Sequence, residues 1–241
     1  MGIEGLNTER INSQVSQYWS VIVVEETTST QSDLISDFSP GRVLIAEYQS
    51  AGRGRLDRKF IVPPRKGLTF SFCIDAIEDI GWIPLLTGLA VADAIDENLN
   101  GKLVEIKWPN DLLVNKKKLS GILSERVEGG VVVGVGINIF QTQDELPIAN
   151  AVSLSMFGTV NRDDLLIEIL NELGRSLSDI EQQKTLYREN CATIGNIVRA
   201  TLPDGEMIED LALGISNDGS LLLNSREIRV GDIVHLRYAG E

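Results

Sequence analysis

Apolar and polar positions follow two rhythms along the chain. Val21-Ile22-Val23-Val24 is a β-branched run of the kind a buried strand uses. Arg42–Tyr48, Gly67–Ile74, Val104–Trp108, Leu112–Asn115, Gly121–Arg126 and Val131–Phe140 read as further strands. Elsewhere the spacing is helical. Leu86, Ala90, Val91, Ala94 and Ile95 predict a central helix over 83–99. Leu165, Leu166, Ile169, Leu170 and Leu173 give 162–179 an apolar side, and 181–190 reads as a second helix. Thr8–Tyr18 reads as a short polar helix. Another starts at Ser29-Thr30-Gln31-Ser32-Asp33, where Thr30 and Asp33 have capping-box spacing ahead of Leu34 and Ile35.

The strands from 104 to 140 follow one another through short turns instead of alternating with helices. That predicts an α+β class with a mixed or antiparallel sheet, not a doubly wound one. The texture changes near Thr193. Short strands there are separated by Pro203-Asp204-Gly205, Asn217-Asp218-Gly219 and Val230-Gly231-Asp232, which suits a small five-stranded barrel. The expected organisation is a main unit over 1–190 and a barrel over 191–241.

Charge sharpens this picture. The 241 residues are 43% hydrophobic, enough to bury a core, and carry 22 Lys and Arg against 35 Asp and Glu, a net −13. That is the wrong sign for coating nucleic acid or anionic lipid. Yet half of the 22 cations fall in two stretches, 52–66 at +5 and 102–118 at +3, which leaves −21 for the remainder. Local cationic segments in an acidic chain favour a small, highly charged ligand. Cys73 and Cys191 lack any Cys-x-x-Cys or Cys/His company, so a thiol metal site is not expected and a reducing cytoplasm is the default. The first residues show no leader pattern, and no apolar run approaches the roughly 20 residues of a spanning helix.

Three segments hold candidate chemistry. In Gln49-Ser-Ala-Gly-Arg-Gly-Arg55, Gly52 and Gly54 let backbone N–H groups approach an anion. Arg53 and Arg55 offer planar forks for carboxylate or phosphate, and Phe60 offers a stacking face. A solvated surface turn is the plainer reading. Lys107-Trp108-Pro109-Asn110-Asp111 with Lys118 reads as a hairpin, because Pro109 cannot continue a ladder and Asn110-Asp111 favour a turn. Ordinary exposed lysines are the alternative there. Gly134-Val-Gly136-Ile-Asn138 places two glycines in an apolar strand, as close approach by a ligand or another backbone requires. Asn138 must find polar partners, from a nucleotide or from protein backbone. There is no Walker A pattern, no Ser-based triad, and the single His235 in an apolar final strand reads as structural. Chemistry of this kind works by holding charged reactants together and offsetting their repulsion.

In this order the motifs resemble the biotin protein ligase family: Ser29-Thr30, Gln49-x-x-Gly-Arg-Gly-Arg55, Lys107-Trp-Pro-Asn-Asp111 with Lys118-x-x-Gly-Ile-Leu123, Gly134-x-Gly-Ile-Asn138, and Leu236-Arg237. The likeness runs from Thr28 to Arg237. It implies a catalytic domain like that of class II aminoacyl-tRNA synthetases, bearing a small SH3-like barrel. It also implies an enzyme that joins biotin to ATP as biotinyl-5′-AMP and transfers biotin to a lysine of a biotin carboxyl carrier domain. By this resemblance Ser29, Thr30, Gln31, Gln49, Gly52, Arg53, Gly54, Arg55 and Lys118 line the biotin site. Lys118, Arg53 and Arg55 carry the catalysis, while Phe60, Trp108, Asn110, Asp111, Asn138 and Arg237 serve the nucleotide. Mg²⁺ is the implied metal, with Asp111 either holding it or capping its own turn.

The chain departs from the family pattern at Leu56-Asp57, where Arg-Gly is common, at Gln31 for Asn, and at Phe60 for Trp. Residues 52–60 are expected to be mobile when empty and ordered over ligand, since a mixed anhydride needs a cover from water. Some members carry a DNA-binding winged helix. Only about twenty residues precede the first strand here and the charge is −13, so no DNA binding is expected. Oligomeric state is not set by the sequence, although strand edges around Val131–Phe140 would allow a homodimer to pair. A lipoate or octanoate ligase of the same broad fold and a binding module without turnover are the rival readings. Biotin-dependent pyrophosphate release separates all three.

Overall fold

The computed structural model describes residues 3–55 and 58–236. After helix α1 (Thr8–Gln14) come β1 (Ser20–Thr27), α2 (Thr30–Ser36), β2 (Arg42–Gln49), β3 (Gly67–Asp75), α3 (Ile83–Asn98), β4 (Glu105–Lys107), β5 (Asp111–Val114), β6 (Lys117–Val127) and β7 (Gly130–Asn138). These strands form one sheet in the order β1-β2-β3-β7-β6-β5-β4. The β1–β2 pair is parallel and every other pair antiparallel, so the sheet is mixed as expected.

Alternation across this sheet separates two environments. Val43, Ile45, Phe70, Phe72, Val131, Val133, Val135 and Ile137 join the main hydrophobic core with α3, α4 (Arg162–Ser178) and α5 (Ile180–Asn190). α3 is buried nearly all round, from Ile83 to Ile95. On the opposite face Leu44, Cys73 and Val132 make a smaller cluster with Leu34 of α2. Further along that same face the residues turn small and polar, Ser71, Gly134, Gly136 and Asn138, and a hollow opens there.

A second sheet holds β8 (Ile197–Thr201), β9 (Met207–Ile215), β10 (Leu221–Leu223), β11 (Glu227–Ile228) and β12 (Asp232–His235), in the order β11-β10-β9-β8-β12. Five antiparallel strands are present as the turn signals predict. Among the described residues no pairing joins β11 to β12, so closure into a barrel is not seen. The sheet docks through its 216–219 turn. Trp82 Nε1 donates to Asn217 O at 2.7 Å and Trp108 Nε1 to Gly219 O at 3.0 Å, while the Arg188 guanidinium lies 4.8 Å from the Trp82 ring centroid.

Several expectations need correction. α1 stops at Gln14 because Val15 is extended, and Asn12 reaches out to bond both Val21 N and Val21 O. Ser29, not Thr30, caps α2: its Oγ accepts from Ser32 N, and the Asp33 carboxylate bonds Thr27 Oγ1 instead of closing a capping box. Asn115 leaves its strand for a tight turn with Lys116, both at positive φ, which matches the twist of the β5–β6 hairpin. The proposed dimer edge is also displaced. β7 is central, paired to β3 and β6 along its length, so Val131–Phe140 offers no free edge and the sheet ends at β1 and β4.

Candidate active site

The hollow is a cavity of about 1200 Å³, bounded by α2, the sheet face of β3, β6 and β7, residues 53–55 and 58–60, the β5–β6 hairpin and β12. Its inner wall is a polar floor. Gln49 Oε1 accepts from Thr30 N at 2.8 Å and Thr30 Oγ1 at 3.1 Å, and Thr30 Oγ1 lies 2.9 Å from Ser71 Oγ. The Gln31 amide donates to Val132 O at 3.1 Å, which leaves its buried Oε1 without a partner in the protein. A buried acceptor of this kind is stabilised by an incoming N–H donor.

Glycines shape the walls by what they leave out. A Cβ on Gly136 would lie 2.5 Å from two Phe60 ring carbons, so this glycine is the seat on which the Phe60 ring rests. A Cβ on Gly134 would meet Gln31 Oε1 at 2.8 Å. Gly52 does not itself line the cavity. It forms the neck of the loop, where its backbone bonds Phe60 N at 2.9 Å and a Cβ would strike Phe60 O at 2.1 Å. Gly54 N donates to Arg58 O at 2.7 Å and closes the next rung. Leu56 and Asp57, the departure from the family pattern, lie outside the described residues, as does Arg237.

Cations from distant segments meet over this floor. Arg55 donates to Asn110 Oδ1 at 2.8 Å and to Gly231 O at 3.2 Å. Arg53 pairs with Glu125 at 2.9 Å. Lys118 Nζ lies 2.5 Å from one Asp111 oxygen and Lys107 Nζ 3.8 Å from the other. Burial pushes the Lys107 ammonium below the ordinary lysine range, against the attraction of Asp111 and Asp232 and helped by Lys118. Burial likewise lowers Arg55. Among the described residues, eight lysines and arginines and three carboxylates line the cavity, so its positive charge is under-compensated and an anion entering it recovers Coulomb energy.

The sequence of the chain matches the biotin/lipoate A/B protein ligase family over residues 19–140. The chain belongs to that family. It is 34% identical to the biotin–[acetyl-CoA-carboxylase] ligase of Mycobacterium tuberculosis, over 89% of this chain and 88% of that protein. It is 30% identical to the bifunctional ligase/repressor BirA of Escherichia coli, over 92% of this chain and 74% of that one. Its fold is similar to that of the biotin protein ligase from Aquifex aeolicus in complex with biotin and ATP, with a TM-score of 0.78, 29% identity, and 90% and 98% of the two chains covered.

Within this family member, Ser29, Thr30, Gln31, Gln49, Arg53, Gly54, Arg55, Phe60, Asn110, Asp111, Lys118 and Asn138 all line the one cavity. Trp108 does not. Its indole is 1% exposed and faces the second sheet, so its place is structural. Asn138 reaches the wall, but its amide already donates to Val152 O and accepts from Gln141, so protein groups meet the need first assigned in part to a nucleotide. Lys107, Arg58 and Asp232 also line the cavity and were not singled out as site residues. Lys107 was signalled by its motif; Arg58 and Asp232 meet only through the tertiary fold.

A protein-held magnesium does not fit Asp111. Each of its oxygens faces a lysine. The one cluster of three carboxylates among the described residues, Glu97, Glu168 and Glu172, lies on α3 and α4 away from the cavity.

Proposed function

We propose that this chain is a biotin protein ligase: it activates biotin with ATP to biotinyl-5′-AMP and passes biotin to a lysine of a biotin carboxyl carrier domain of a carboxylase. The observation that carries the reading is the convergence of Arg53, Arg55, Lys107 and Lys118 above a floor of Ser29, Thr30, Gln31 and Gln49. The floor suits a cyclic urea. The orphaned Gln31 Oε1 accepts a ureido N–H, and hydroxyl and amide groups beside it satisfy the rest. An apolar tunnel for lipoate would not carry these groups, which favours biotin over lipoate within the family.

The chemistry follows from charge. Biotin's carboxylate oxygen attacks the α-phosphorus of ATP; the bond from that phosphorus to the β-phosphate bridging oxygen breaks and pyrophosphate leaves. Two anionic groups approach only if fixed cations offset their repulsion, and desolvated lysines and arginines do so more strongly than solvated ones. In this reading Lys118, which lines the cavity, contacts carboxylate and phosphate together. In the second step the carrier amine attacks the anhydride carbonyl, loses its proton, and AMP departs. Magnesium is assigned to the nucleotide, as the counterion with which it enters, because Asp111 is already engaged by two lysines. The division into a biotin- and ATP-binding unit over 1–190 and a C-terminal unit over 191–241 belongs to the same reading.

The test is incubation with ATP, magnesium, biotin and a carrier domain. Biotin-dependent pyrophosphate release, an adenylate of biotin and a carrier heavier by one biotinyl group are expected. Pyrophosphate release that follows lipoate and ignores biotin overturns the reading.

A further inference from the structure

The start of β12 carries two contacts to the arginine loop. Gly231 O accepts from Arg55 at 3.2 Å, and the adjacent Asp232 carboxylate pairs with Arg58. Both Arg58 and Asp232 line the cavity. Asp232 is thus a carboxylate of the second sheet lodged among cations that, on the reading above, serve a polyphosphate. Partial desolvation works to raise its carboxyl, yet the Arg58 hydrogen bond and the charges of Arg58, Lys107 and Arg55 hold it below the ordinary carboxylate range. The pair is open to water, with side chains 61% and 39% exposed. An ion pair this exposed is weak and exchanges readily.

We propose that Asp232 is a resident counter-anion of the nucleotide site, holding Arg58 at the cavity wall when the site is empty and yielding it to the phosphates of ATP on binding. The inference rests on the biotin ligase reading and adds a positioning residue from the second sheet that tunes nucleotide affinity. Competition of two anions for one cation gives the direction. While Arg58 is paired with Asp232, an arriving phosphate must displace a carboxylate, so the pair opposes ATP binding and favours pyrophosphate departure. Removing the carboxylate removes the competitor.

The experiment is a double-mutant cycle on biotin-dependent pyrophosphate release at saturating biotin, with KM for ATP and kcat read separately. Asp232→Asn is expected to lower KM for ATP by about two- to fivefold, the range an exposed ion pair commands. Asp232→Glu keeps the wild-type value. In an Arg58→Gln background the same Asp232→Asn change is expected to lose most of its effect. An equal drop in KM in both backgrounds overturns the proposal, since Asp232 then acts as a bare negative charge. A rise in KM also overturns it, since Asp232 then only supports Arg58. If the wild-type protein releases no biotin-dependent pyrophosphate, it is the ligase reading that fails.

Discussion

Asp111 stands between two ammonium groups, and that arrangement decides what a substitution at Lys118 does. With Lys118→Ala, Asp111 keeps Lys107 as its partner, so the cavity loses a cation without leaving a half-buried carboxylate alone. The fold should tolerate this. On the proposed reading Ser29, Thr30, Gln31 and Gln49, not Lys118, hold biotin's ureido end, so ATP-free biotin binding should weaken only a few-fold. The first chemical step should fall by on the order of 100-fold or more, the usual cost of removing one group aimed at developing charge. Single-turnover adenylate formation beside a biotin titration checks this; comparable losses in both would show that Lys118 is a binding residue. Candidate residues of this type are legible because Lys107, Asp111 and Lys118 fall on three successive antiparallel strands, β4 to β6, where spacing along the chain fixes spacing across the strands. Arg58 and Asp232 are 174 positions apart, and no local pattern links them.

At the scale of elements, β7 shows most plainly how the chain writes two functions on one strand. Val131, Val133, Val135 and Ile137 face the helices, while Gly134, Gly136 and Asn138 face the cavity. The two glycines are spaced by two because a strand shows alternate residues to one face. Helix α4 is fixed differently. Arg162 in its first turn is buried with Glu47 of β2 at 2.5 Å, and it also donates to Glu4 O and Gly67 O, while Glu47 accepts from Leu6 N. Arg162→Met should destabilise by about 3–5 kcal/mol, because it strands the Glu47 charge in the core. The double variant Arg162→Met with Glu47→Leu should recover a large part of that loss. Urea unfolding of the three proteins measures both, and a double variant no more stable than the single one would show that the backbone contacts, not the charges, dominate.

For the molecule as a whole, the second sheet is part of the site and not an appendage. Trp108 carries this coupling. Its backbone N–H donates to Thr193 Oγ1 at 3.0 Å, and Thr193 Oγ1 in turn lies 3.1 Å from His235 Nε2. A Thr193 hydroxyl that accepts from Trp108 keeps a proton it can give to Nε2, an arrangement that suits a neutral imidazole protonated on Nδ1. Burial first, then Lys107 and Lys116, lower the His235 pKa to the same effect. The unfolded chain therefore binds a proton that the folded chain resists, so His235 adds stability above the ordinary histidine range and loses it as pH falls through that range. Wild-type protein should gain stability from pH 5.5 to pH 7.5 by more than a His235→Asn variant does, measured by urea unfolding at both values. Equal gains would show that His235 titrates as freely folded as unfolded. The structural reading of this histidine came from its apolar strand; its position at the cavity wall did not.

Sequence alone determined the elements, the mixed sheet, the five C-terminal strands and twelve of the residues that line the cavity. Each of these depends on short-range periodicity, turn chemistry or motifs confined to one hairpin or loop, and such features survive in a linear string. What only the tertiary structure decided was the interior position of β7, the structural use of Trp108, the satisfaction of Asn138 by protein groups, and the meeting of Arg55 and Arg58 with the start of β12. These depend on which segments pack together across long stretches of chain. That choice is made by burial of the whole apolar core at once, not by any residue's neighbours in sequence.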